Sequence, residues 1–218
     1  MPIKLTPTAT PIIPSPLPKA ATSAGLVPSL IWPGGSDQSG SFDHVHFPDR
    51  DQERWRHRQG QFGVTSPGFS QALRSARERI WIVDAYLFDP CEMTDRSFFH
   101  AFNKPLVMSQ ADDIRLIGNS RLQGAVLQAV KSIENDRLGR RQFRPHQIEC
   151  RCFGSKRDGV LSPHDRFAII DEELWHWAAS VGGTHHQVNA YSRGWPAAEK
   201  RANAYFERLW GELQDQRR

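Results

Sequence analysis

The most constraining stretch of this chain is Ile80-Trp81-Ile82-Val83-Asp84-Ala85-Tyr86. β-Branched and aromatic residues dominate it, and its apolar character is almost continuous, whereas a strand with one wet face would alternate apolar with polar. Such a strand is covered on both faces, so the chain must place packing elements on each side of a sheet.

The surrounding sequence supplies those elements. Ser66-Pro67 reads as a helix N-cap followed by proline in the first turn, and Phe69, Ala72, Leu73 and Ala76 then fall on one helical face. A short helix is expected around Ser97–Phe102, then a second strand at Ile114–Gly118, then a longer helix with Leu122, Val126, Ala129 and Ile133 inward. Gln147–Phe153 is a third strand, and the glycine-bracketed loop Gly154–Gly159 precedes a fourth, Asp165–Ile170. Asp171-Glu172-Glu173 makes a tight turn into Leu174–Ala179, which should return antiparallel, with Trp175 and Trp177 in the core. Val188–Tyr191 is a short strand. In the closing helix Ala202, Tyr205, Phe206, Leu209, Trp210 and Leu213 recur at the three-four spacing of a buried face. The expected fold is α/β, a mixed sheet flanked by helices, with no internal repeat.

Residues 1–40 differ in kind. Runs such as Thr6-Pro7-Thr8-Ala9-Thr10-Pro11 cannot bury enough apolar area to offset the entropy of ordering them, and repeated proline removes backbone donors, so this segment is expected to be a disordered arm. Residues 41–67 are transitional, with a polar run from Asp49 to Gln61, and residues 68–218 form the domain. With 39% hydrophobic residues and seven Trp the chain can build a real core, which excludes wholesale disorder. No run approaches the ~18 apolar residues a spanning helix needs, and no basic segment leads into an apolar stretch as in a signal peptide. Stable membrane insertion is therefore not expected. Cys91, Cys150 and Cys152 make no disulfide framework, which points to a reducing, cytoplasmic setting.

Chemistry concentrates in His164-Asp165-Arg166-Phe167-Ala168-Ile169-Ile170-Asp171. Residues two apart in a strand share a face, so His164 and Arg166 should project together while Asp165 and Phe167 point away. An imidazole beside a permanent cation suits a phosphodiester: the ring can attack phosphorus and the guanidinium can stabilise charge on the equatorial oxygens. Asp171 stands at the hairpin turn, where a carboxylate can accept backbone N–H groups.

This segment resembles the signature of the phospholipase D superfamily: His-x-Lys, four residues, Asp, then a glycine–serine pair and an asparagine. Ala76–Tyr86 looks like that family's opening helix end and first strand, and Val188–Trp210, with Asn189-Ala190 and Phe206-Glu207-Arg208-Leu209-Trp210, like its closing strand and helix. The resemblance implies a metal-independent, cofactor-free phosphodiesterase with His164 as the covalent nucleophile or the acid, Arg166 in the lysine's place and Asp171 as the motif carboxylate. It also implies that a chain with one motif completes its site as a homodimer. Ser180, His185 and Asn189 are weaker substrate-contact candidates. The sequence departs from the pattern at Arg166 for lysine, at Ala178, Ala179 and Val181 for the glycine, serine and asparagine, and at Val188 for the carboxylate that orients the histidine. A one-residue slip restores a hydroxyl at Ser180. Two functional readings follow: a nuclease-like phosphodiesterase acting on nucleic acid, or a catalytically inactive module of the same fold that binds nucleic acid or a protein. A net charge of +4 suits nucleic acid in either case. A lipid-headgroup transferase is a third reading, with no membrane-binding feature to support it.

The remaining motifs read more simply. Cys150-x-Cys152 lacks common zinc spacing and a second pair, so no metal site is expected there. His44-x-His46 and His185-His186 read as polar loop material, and Arg140, Arg141, Arg144, Lys156 and Arg157 as the best basic cluster.

Overall fold

A computed structural model describes residues 25–33, 43–44, 66–87, 103–119, 123–138, 148–154, 163–182 and 190–215. The short helix expected at Ser97–Phe102 lies outside the described residues, as do Cys91, Leu122, the basic cluster, His46, His185, His186, Val188, Asn189, nearly all of the loop after Gly154 and most of the segments before Ser66.

The described strands are β1 (Ser29–Pro33), β2 (Asp43–His44), β3 (Arg79–Val83), β4 (Asp113–Asn119), β5 (Ile148–Phe153), β6 (Arg166–Ile170), β7 (Glu173–Trp177) and β8 (Tyr191–Pro196). They form one sheet in the order β2-β1-β8-β7-β6-β3-β4-β5. β3, β4 and β5 run parallel; every other pairing is antiparallel. The described helices are α1 (Pro67–Ser75), α2 (Gln123–Leu138) and α3 (Ala202–Asp215), with a short helix over residues 103–108. The fold is therefore α/β with a mixed sheet.

β3 is central and covered on both faces, as its composition demands. Ile80 and Ile82 join a core with Phe69 and Leu73 of α1, Leu106, Val126 and Ile133, while Trp81 and Val83 join a second core with Phe206, Leu209 and Trp210 of α3. β6 splits the same way, Ala168 and Ile170 to the first core and Phe167 and Ile169 to the second, which is the two-residue period of a pleated strand. Trp175 and Trp177 are both essentially unexposed and pack with Phe69 and Tyr191. Ser66 is the N-cap of α1: its Oγ accepts the Phe69 N–H at 3.3 Å, and Pro67 follows in the first turn.

Three local expectations change. The last strand begins at Tyr191, where the sequence pattern placed its end, and runs through Gly194. Tyr205 is half exposed, because it sits on the flank of the stripe made by Phe206, Leu209, Trp210 and Leu213. The third change is in the arm: Ser29–Pro33 pairs antiparallel with β8, Leu30 opposite Ser192 and Ile31 opposite Tyr191. Leu30-Ile31-Trp32 is an apolar run bounded by prolines, enough to add one short strand between β8 and β2 although the residues around it could not propagate a sheet. Gly194 makes room for it. At φ +80° it adopts a backbone that side chains rarely accept, and a Cβ there would stand 2.0 Å from the Val27 carbonyl oxygen.

Candidate active site at the carboxyl end of the central strand

In an open α/β sheet, functional groups gather beyond the carboxyl ends of the parallel strands, where the chain leaves the sheet and its side chains are no longer covered. Here that edge holds the end of β3, the start of β6 and the end of β7. Val83 pairs with Phe167, so the next residues outward, Asp84 and Arg166, face one another; on the other side Arg166 pairs with Trp177.

Asp84 is the buried group of this edge, with 1% of its surface exposed. Its Oδ1 accepts the Tyr86 N–H at 2.8 Å and its Oδ2 accepts the Val181 N–H at 2.8 Å. Arg166 brings its Nε to 3.7 Å from Asp84 Oδ1. Its guanidinium carbon lies 4.5 Å from the centre of the Tyr86 ring, itself 42% exposed. One carboxylate thus connects the ends of β3 and β6 with the turn after β7, and a cation lies between it and an exposed aromatic ring. A buried charge persists only when paired and hydrogen-bonded, and Asp84 has both kinds of partner.

His164 is exposed in the bend two residues before β6 begins. The strand starts at Arg166, one residue later than its sequence pattern indicated. The alternation around Arg166 still holds: Asp165 meets His176 at 3.6 Å on the α3 side of the sheet, while Arg166 meets Asp84 on the α1 side.

Asp171 is not part of this cluster. It follows β6 at the other edge of the sheet, five residues or ~16 Å of strand away from Arg166. There its Oδ1 accepts the backbone N–H groups of Arg77, Glu78 and Arg79 at 3.1, 2.8 and 3.2 Å. Its own φ of 52° is the left-handed conformation that aspartate tolerates in tight turns. The Asp171 carboxylate therefore stitches the β6–β7 turn to the start of β3, away from Arg166. A groove lined by Gly25, Leu26, Ala72, Ser75 and Ile170–Glu173 lies at this same distal edge and shares no residue with the Arg166 cluster.

Ser180 and Val181 are buried, at 0% and 1% exposure, so the Ser180 hydroxyl faces the interior instead of an open wall. His185 and Asn189 lie outside the described residues. Cys150 and Cys152 lie partly buried on β5. Among the described residues no group of three or more His, Cys, Asp or Glu side chains is arranged to hold a metal ion, and no helix is long and apolar enough to cross a membrane.

Sequence reasoning missed Asp84 and Tyr86, which it read only as the tail of a buried strand. The signal was there: a lone carboxylate in an otherwise apolar run, at the carboxyl end of the most buried strand, has to be paired or functional.

No protein-family model and no curated protein matches the chain. Among solved structures it is similar to NucT from Helicobacter pylori, with a TM-score of 0.46 and 11% identity over 85% of this chain and 96% of that one. It is also similar to TrmBL2, an archaeal chromatin protein whose structure shows a novel mode of DNA binding, with a TM-score of 0.42 and 13% identity over 75% of this chain. The chain spans 60% of the length of TrmBL2.

Proposed function

We propose that the chain is a phospholipase D-like phosphodiesterase of the nuclease kind, acting on nucleic acid. The observation that carries this reading is the arrangement of Arg166, held between buried Asp84 and the exposed Tyr86 ring, just downstream of exposed His164 at the carboxyl edge of the sheet. A guanidinium anchored through its Nε side keeps a planar fork of N–H donors for two phosphate oxygens. In the reaction an imidazole nitrogen of His164 attacks phosphorus, the P–O bond to the leaving group breaks, and a phosphohistidine forms. The leaving oxygen takes its proton from the His164 of a second copy. Water then attacks the phosphohistidine, gives its proton back to that second imidazole, and frees the phosphate product. The single motif is the reason for placing the site at a two-fold axis. A net charge of +4 favours a polyanionic substrate.

The test is cleavage of single- and double-stranded oligonucleotides in the presence of a chelator. Turnover that survives chelation, disappears in His164→Ala and leaves a trapped phosphate on His164 supports the proposal. Chelator-resistant cleavage that persists unchanged in His164→Ala overturns it.

The second reading, an inactive module that binds nucleic acid or a protein, draws on the burial of Ser180 and Val181, which leaves the turn after β7 without an exposed polar side chain at either position. Binding of an oligonucleotide that is insensitive to His164→Ala, with no cleavage from mildly acidic to basic pH, selects this reading.

A further inference from the structure

The Arg166 cluster contains a carboxylate whose purpose neither the histidine chemistry nor the core explains. Burying Asp84 in a strand end is unfavourable unless something is gained, and an apolar residue would continue the pattern of Ile80 and Ile82 into the same core. Its partners include groups from three separate places: the backbone just beyond β3, the backbone beyond β7, and a side chain of β6. Arg166 is 86% covered, yet its Nη groups make no hydrogen bond to any described residue; Asp84 is its ion-pair partner and Tyr86 its stacking partner.

We propose that Asp84 is the positioning residue of this site: it holds the Nε edge of Arg166 and fixes the Tyr86 and Val181 backbones, so that the Nη edge of the guanidinium is presented to a phosphate group. The inference rests on the phosphodiester reading above and adds to it the reason for arginine at this position. Arginine can offer one edge to Asp84 and another to a ligand at the same time. A lysine ammonium is a single point of charge, which the same carboxylate would largely neutralise. Asp84 acts through Arg166 and does not itself touch the substrate.

Simple electrostatics and positioning predict opposite signs, which makes the idea testable. Removing a negative charge next to a phosphate site should tighten anion binding if only net charge counts. Positioning requires that Asp84→Asn weaken it. The experiment measures the affinity of the full chain for a single-stranded oligodeoxynucleotide and for inorganic phosphate, in Asp84→Asn, Arg166→Ala and the double variant, with circular dichroism confirming the fold of each. The expected result is a loss of about tenfold for Asp84→Asn, the size of one charge-assisted contact, and no further loss when the same change is made in Arg166→Ala. Equal or tighter binding by folded Asp84→Asn, or additive losses in the double variant, would overturn the proposal.

A second measurement needs no variant at residue 84. In the unmodified chain the Arg166 Nε–H should give an NMR cross-peak with slowed solvent exchange, assigned by its disappearance in Arg166→Lys. A fast-exchanging Arg166 Nε–H refutes the anchoring even if Asp84→Asn does not fold. If Arg166→Ala leaves both affinities unchanged while that cross-peak is slowed, the phosphodiester reading fails and the Asp84–Arg166 anchor stands alone.

Discussion

The two ends of β6 carry the same device with different partners. At the Asp171 end a carboxylate collects three successive backbone N–H groups from Arg77, Glu78 and Arg79. At the Arg166 end the carboxylate is Asp84, which accepts backbone N–H groups from Tyr86 and Val181 and also pairs with a guanidinium. The first arrangement is closed: its donors are main chain, and the result is a fixed turn. The second ends in a cation with donors to spare beneath an exposed ring. A carboxylate saturated by backbone holds a fold together, whereas one that shares its charge with a side chain can also aim that side chain at a ligand.

Breaking the closed end should have the larger effect on stability. Asp171→Ala removes the shared acceptor of three backbone N–H groups and places alanine at a positive φ, so unfolding in denaturant should show a loss of about 3 kcal/mol, with oligonucleotide affinity of the folded fraction unchanged. A loss of affinity equal to that of Arg166→Ala would erase the distinction between the two ends. Next comes Gly194→Ala, at the same distal edge, where the new Cβ collides with Val27. A destabilisation of about 2 kcal/mol is expected, with hydrogen exchange accelerated first at residues 29–31; protection there as in the parent chain would show that β1 is not latched by this glycine. At the Arg166 end, His164→Ala removes an exposed side chain and should move stability by no more than about 0.5 kcal/mol.

The smallest effect is a titration. Tyr205 packs near Phe167, and burial first, then the Asp165 and Glu212 carboxylates, raise its phenol above the usual 10.0. The folded protein therefore keeps a proton that the unfolded chain has lost, so this residue withdraws stability as pH rises beyond about 10. Ultraviolet titration of the parent minus Tyr205→Phe should show the high midpoint, and Asp165→Asn should lower it. A midpoint at the ordinary tyrosine value would remove Asp165 from the neighbourhood of that ring.

The architecture was largely legible because it rests on local periodicity. Ser66-Pro67 starts α1, the alternation in β3 and β6 serves two cores, and the spacing of Phe206, Leu209, Trp210 and Leu213 buries α3. Less legible was anything set by balance at an edge. Leu30-Ile31-Trp32 reads as part of a proline-rich arm until β8 offers it a partner, and Tyr205 reads as core until the curvature of the stripe places it outside. The site was half legible: the pairing of histidine with arginine stands in the sequence, but Asp84 is 82 residues away from Arg166 along the chain, being the difference between positions 166 and 84.

By itself, then, the sequence determined the class of fold, the order of its elements and the central place of β3, because side-chain period and turn residues act over a few positions at a time. Only the tertiary structure decided that Asp171 belongs to the closed end of β6, that Asp84 and Tyr86 belong with Arg166, and that an arm contributes a strand paired with β8. Those outcomes depend on strand register, which brings distant residues opposite one another through hydrogen bonds between backbones and so leaves no mark in local composition.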